Sequence, residues 1–239
     1  MKISCLRGIA LIFLLLLLCQ ASRAQEASVV GRVYGTVGHN YTEGVYGSLA
    51  AVADWRAGDG LFLTAGVEGF RAGGMAATAG WRCRTSWAGG RLSLFGRYLW
   101  RRLERWNVNE CSAHTGLAWR STHWLASLGV ANRFIRPIHT YNKGMGTAWM
   151  IEPFNVMYEL QYTLPLGKPD TWALALRVAD FDLFLTDRAY QPLFSMAVSR
   201  TIAGGLKAAA RAVCQPTGML SLGANYYHLF VNLGIEKQW

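Results

Sequence analysis

The chain has 239 residues, with 24 basic and 14 acidic side chains, 26 glycines and ten each of Trp, Tyr and Phe. Its mean hydropathy is +0.15, yet no long apolar run follows residue 24, so the body of the chain holds no candidate transmembrane helix. Hydrophobicity that is abundant but never contiguous is what alternating strands facing lipid give.

The first 24 residues read as a secretory signal peptide. Lys2 and Arg7 precede an apolar run from Ile9 to Cys19, and Ser22-Arg23-Ala24 offers small residues at the two positions a signal peptidase reads. A retained membrane helix needs about 18 apolar residues, and this run has eleven. A lipoprotein reading through Cys19 is countered by Leu18, where a small residue is required. Cleavage is expected after Ala24, leaving residues 25–239 as one domain with 21 basic and 14 acidic residues, a net charge of +7. Three cysteines remain, Cys83, Cys111 and Cys214, without CxxC spacing or a His at ligand spacing. Neither a disulfide framework nor a metal site is expected, and no cofactor.

Period-2 alternation recurs along the chain, with turn residues between the segments and no convincing 3.6-residue apolar period. Strands are expected near 28–38, 45–55, 60–70, 75–87, 91–101, 110–120, 123–133, 152–164, 171–181, 192–202, 205–214 and 226–239. In the fifth, Leu92, Leu94, Tyr98 and Trp100 oppose Arg91, Ser93, Arg97 and Arg101; in the eighth, Phe154, Val156, Tyr158, Leu160 and Tyr162 oppose Asn155, Glu159, Gln161 and Thr163. Even-numbered connections are short, and the odd ones include the longer loops, with Phe134 to Ile151 the longest. That asymmetry is the one outer-membrane barrels show between their periplasmic and outer ends. Trp55, Trp87, Trp119, Trp124, Trp172 and Trp239 fall at strand ends beside the short turns, and Trp100, Trp106 and Trp149 lie toward the loops, as two interfacial girdles require. Only Trp81 is mid-strand.

The last stretch, "YYHLFVNLGIEKQW", alternates Tyr227, Leu229, Val231, Leu233 and Ile235 with polar or small residues and ends on Trp239. It resembles the carboxy-terminal strand of bacterial outer-membrane β-barrels. The resemblance implies that these six residues form the signal read by the barrel-assembly machinery; Lys237 breaks the apolar row near the interface. The fold class is therefore all-β, a transmembrane antiparallel up-and-down barrel of about 12 strands, with ten or 14 as alternatives, embedded in outer-membrane lipid.

Alternation turns Arg32, Arg82, Arg84, Arg91, Arg97, Arg101, Arg120, Arg177, Lys207 and Arg211 inward against Asp54, Glu68, Glu159 and Glu236. Such a lumen is either an anion-favouring pore for small anionic solutes or a filled barrel in which Arg pairs with Glu68 and Glu159. Ser112 and His114 share one strand face, and outer-membrane phospholipases and lipid A deacylases use a Ser/His pair. Their motif resembles His-x-Ser, however, the reverse of this order, and their site faces lipid, whereas here Cys111, Ala113, Thr115, Leu117 and Trp119 take that face. Residues 137–149, with Gly and aromatics, form the longest loop, one able to fold into a barrel or meet a partner. The basic residues are dispersed without a patch, which argues against nucleic acid. The sequence thus points to a non-enzymatic porin-like or structural outer-membrane barrel. Its alternatives are a lipid hydrolase using Ser112 and His114, and a secreted soluble β-barrel binding protein, which the outward Leu92, Leu94, Tyr98 and Trp100 contradict.

Overall fold

The computed structural model describes residues 27–40, 44–58, 60–69, 73–104, 107–139, 149–167, 171–185, 192–216 and 226–239. The expected signal peptide lies outside them, as do residues 140–148 of the longest loop and residues 217–225.

Among the described residues twelve strands follow one another as β1 (Ala27–Asn40), β2 (Gly44–Ala57), β3 (Leu61–Gly69), β4 (Gly74–Trp87), β5 (Gly90–Leu103), β6 (Val108–Arg120), β7 (Trp124–Pro137), β8 (Met150–Leu166), β9 (Trp172–Ala179), β10 (Leu193–Ala203), β11 (Leu206–Pro216) and β12 (Tyr226–Gln238). Each pairs antiparallel with its chain neighbours, and β1 pairs with β12 to close the barrel. Most boundaries shift by one or two residues from the sequence reading, and two of the shifts bear on the lumen: β7 runs four residues further, to Pro137, and β9 stops at Ala179. Asp180 N–H still donates to Tyr158 O on β8 at 3.1 Å, and Phe181 lies beyond the strand.

Alternation forms these strands because one face meets lipid and the other the lumen. Val33, Val37, Leu49, Val67, Leu94, Leu117, Leu128, Leu160, Leu176 and Leu233 are exposed outward, while Leu99, Glu110, Ser112 and His228 are fully buried inward. The hairpins at Ala88–Gly89 and Gly204–Gly205 have positive φ at both central residues, +47° and +69°, then +55° and +76°. That is the turn whose twist matches the strands it joins. On the loop side a bulge interrupts β7–β8 between Ala131 and Arg133; Phe154 takes φ +56° and donates its backbone N–H to Asn132 Oδ1 at 3.2 Å.

The seam runs from Val30 opposite Gln238 to Asn40 opposite His228. Beyond it, Trp239 N–H donates to Val29 O at 2.9 Å and Val29 N–H returns a 3.3 Å bond to Trp239 O. The Trp239 ring lies on Gly31, where an added Cβ would come within 2.9 Å of it. Tighter still is the pair Gly116–Gly129 between β6 and β7. A Cβ on Gly129 would sit 2.4 Å from Thr115 O and 3.0 Å from Gly116 Cα, and backbone cannot yield as a side chain can. Gly129→Val is therefore expected to destabilise the barrel by about 1–3 kcal/mol or more, and Gly31→Ala by less, because the Trp239 ring can swing. Urea unfolding in micelles, followed by tryptophan fluorescence, measures both; the opposite ranking would contradict this packing.

Candidate functional site

The connection from β9 to β10 does not stay at the rim. Residues 181–185 enter the lumen, where Phe184 packs with Ala50, Val52, Ala76 and Leu103 and Leu185 with Tyr46, Leu193, Val213 and Phe230. Gly66 on β3 makes room: a Cβ there would lie 2.9 Å from the Phe184 ring and 3.1 Å from Leu183. The described residues that enter the lumen thus belong to the connection following β9; residues 140–148 of the loop singled out from the sequence lie outside the described residues.

Arginines from three strands hold the segment. Arg101 on β5 donates to the carbonyls of Asp182, at 3.1 Å, and Leu185. Arg177 on β9 donates to Phe181 O at 3.1 Å, and Arg211 on β11 pairs with the Asp182 carboxylate at 3.0 Å. Arg97 lies over the Phe181 ring, 4.2 Å from its centroid, a cation–π contact. Burial works to raise the pKa of Asp182, and Arg211 and Arg177 outweigh it, keeping that carboxyl below its ordinary range.

Behind the segment lies a buried ion cluster. Glu110, fully buried, accepts from Arg101 Nη2 at 2.7 Å and from Arg133 Nε at 3.0 Å. Arg133 also reaches Glu152 at 2.8 Å. Two guanidinium forks sharing one carboxylate satisfy its lone pairs in a dry interior. Glu110, Arg133 and Glu152 were not singled out from the sequence; inward parity on β6 and β7 was a usable signal for the first two, whereas Glu152 shares the parity of the outward Phe154 and is brought opposite Arg133 by the bulge.

On the short-turn side of the segment the lumen is hollow. A cavity of about 900 Å³ extends from the rim at Gly58 and Gly60 to Phe181, Asp182 and Leu183. Arg82, Arg84, Arg97, Arg120, Arg177, Arg211 and Glu159 all line it, with Arg32, Arg56 and Arg91. Arg177 pairs with Glu159 at 2.6 Å and Arg32 pairs with Asp54. Glu68 is apart from the cavity, accepting from Ser48 Oγ at 2.5 Å; Lys207 stands opposite Glu236 across β11–β12. The lumen therefore combines both arrangements considered from the sequence: filled toward the long loops, open and basic toward the short turns.

Ser112 and His114 do lie together, His114 Nε2 being 2.8 Å from Ser112 Oγ. Arg97 Nε donates to His114 Nδ1 at 2.8 Å, so Nδ1 carries no proton and Nε2 must be the N–H of the neutral ring. The histidine thus donates to the serine and is not placed to take its proton. Both residues are buried in the lumen, away from lipid.

Trp55, Trp87, Trp119, Trp124, Trp172 and Trp239 sit at the short-turn ends of their strands, with Trp119 Nε1 donating to Trp87 O at 3.2 Å. Trp149 lies at the other end under Arg136, 4.8 Å away, and Trp106 is outside the described residues. The mid-strand Trp81 covers Gly96, where a Cβ would meet its ring at 2.7 Å. On β12, Leu229, Val231, Leu233 and Ile235 are exposed outward; for Tyr227 only the backbone is described.

Removing one partner from the buried cluster leaves uncompensated charge. Glu110→Gln is expected to destabilise the barrel by about 3–5 kcal/mol, read as a lower guanidinium unfolding midpoint in lipid vesicles. An unchanged midpoint would mean that the cluster does not hold the wall.

No protein-family model matches the chain, and no curated sequence matches it significantly. Among solved structures, the KdgM porin in complex with disordered oligogalacturonate superposes with a TM-score of 0.54 at 8% identity, over 88% of this chain and 98% of that one. An outer-membrane channel from Pseudomonas putida F1 gives 0.51 at 10% identity, over 90% and 96%, and the NanC porin gives 0.51 at 6%, over 87% and 98%. At such identities the likeness is one of fold. With its closed ring of twelve antiparallel strands, the chain has the porin-like fold of the bacterial outer-membrane β-barrels.

Proposed function

We propose that the chain is exported by a signal peptide cut after Ala24 and serves in the outer membrane as a non-enzymatic, porin-like channel for small anionic solutes, held closed by residues 181–185. Leu229, Val231, Leu233, Ile235 and Trp239 then present the strand read by the assembly machinery, and the tryptophans at the strand ends anchor the barrel in lipid. The observation that carries the reading is the asymmetric lumen: a large arginine-lined cavity ends at a short segment of chain held by hydrogen bonds, an ion pair, a cation–π contact and packing. Arginine-lined pores favour anions, and a segment held noncovalently can leave. One structural neighbour was solved with an anionic oligosaccharide, but the solute class here rests on the arginines of this chain.

Single-channel recording in a planar bilayer under a salt gradient tests it. The wild-type barrel is expected to be mostly closed. Replacing residues 181–185 by a Gly-Ser segment is expected to give long openings with anion preference, and adding Arg82→Glu and Arg84→Glu to reverse that preference. Silence from both forms, each shown by heat-modifiable gel mobility to be folded, would remove the channel and leave a structural barrel.

A further inference from the structure

The arginines of the cavity are not evenly supplied with partners. Arg32, Arg177 and Arg211 each face a carboxylate, Asp54, Glu159 and Asp182. At the short-turn end of the wall from β2 to β6 stand Arg56 on β2, Arg82 and Arg84 on β4, Arg91 on β5 and Arg120 on β6. Of these, Arg56, Arg82, Arg91 and Arg120 have no carboxylate partner among the described residues.

Their placement is unfavourable for the empty protein. Arg91 and Arg120 are direct cross-strand partners, a position where like charges destabilise a sheet. Arg82 and Arg84 are two residues apart on one face, and each lies within electrostatic reach of Arg56 and Arg120. The buried Nε of Arg82 has no hydrogen-bond partner among the described residues, an arrangement proteins seldom leave standing without cause. Packing does not demand it, since Arg56, Arg91 and Arg120 are exposed to the water of the mouth.

We infer that this five-arginine wall is a binding site for a compact, multiply charged oxyanion, one bearing two or more phosphate or carboxylate groups, that enters from the short-turn, periplasmic side. Guanidinium forks match such groups bidentately, and a bound polyanion replaces mutual repulsion among the arginines by attraction. The entry side follows from the lumen, which is open at this rim and filled by residues 181–185 and their neighbours beyond it. The cavity, at about 900 Å³, is of the size that accepts a small molecule. The inference deepens the anion-channel reading by naming the ligand class and its point of entry, and it stands on the side chains of one wall rather than on passage through the barrel.

Isothermal titration of the folded, full barrel in uncharged detergent, with pyrophosphate and citrate as probes, tests the site. Saturable binding is expected for at least one of them. Arg82→Gln or Arg120→Gln is expected to weaken it about tenfold, as loss of one charge-assisted contact implies. Arg200→Ala, which removes an outward-facing cation lying over Trp172, should leave it unchanged. The cluster is self-repelling, so the double variant Arg82→Gln with Arg120→Gln is also expected to unfold at the same or a higher temperature than the wild type. Absence of saturable binding, equal weakening by Arg200→Ala, or an unfolding temperature that falls with the affinity would each overturn the site. Recording current from the barrel in which a Gly-Ser segment replaces residues 181–185 separates the two readings: saturable binding by the full barrel beside silence from that variant supports the site and removes the channel, and conduction without saturable binding overturns the site while the channel stands.

Discussion

Hydrocarbon offers no partner for a backbone N–H or C=O, so a sheet that crosses a membrane must have no free edge. In this chain everything rests on the seam between β1 and β12, the only place where pairing joins the two ends of the sequence rather than neighbouring segments. Trp239 secures it through paired backbone bonds to Val29 and a ring laid against Gly31. Trp239 is thereby part of the closure and of the ring of tryptophans at the short-turn strand ends together.

Closing twelve strands creates a second problem. Eight strands can be filled by their own side chains, and 16 or more leave a water channel; a lumen of intermediate girth is too wide for one solution and narrow for the other. The chain divides the space. Toward the long loops it imports residues 181–185 and packs Phe184 and Leu185 against small and apolar wall residues such as Ala50, Ala76 and Val213. Toward the short turns it leaves water and arginine.

The same residue type does different work in the two halves. Arg101 and Arg133, removed from water, share the carboxylate of Glu110; Arg133 also pairs with Glu152, and Arg101 has further donors left for the carbonyls of the inserted segment. Wall and segment are therefore bound to one buried carboxylate, which ties retention of the segment to integrity of the wall. Arg56, Arg91 and Arg120, at the mouth, are kept soluble by water and need no such partner. The histidine that sequence reading set beside a serine belongs to this polar lining as well: Arg97 fixes its tautomer and makes it a donor to Ser112.

Strand number, strand faces and barrel class were legible in the sequence because each depends on a period of two, a property of neighbouring residues. Leu92, Leu94, Tyr98 and Trp100 point outward for the same local reason that Arg97 and Arg101 point inward. What was not legible depends on contacts between residues far apart in the chain. Phe181 looked like the end of a strand, and Phe184 and Leu185 like parts of an outer loop, although so apolar a loop was itself a hint. Their places are fixed by Gly66, Leu103 and Val213, on three other strands. Parity told which cations face the lumen, but not that Arg101 is paired and dry while Arg120 is exposed and has no carboxylate partner among the described residues. Pairing and hydration are set by which strands closure brings across the lumen from one another, and only the closed barrel decides that.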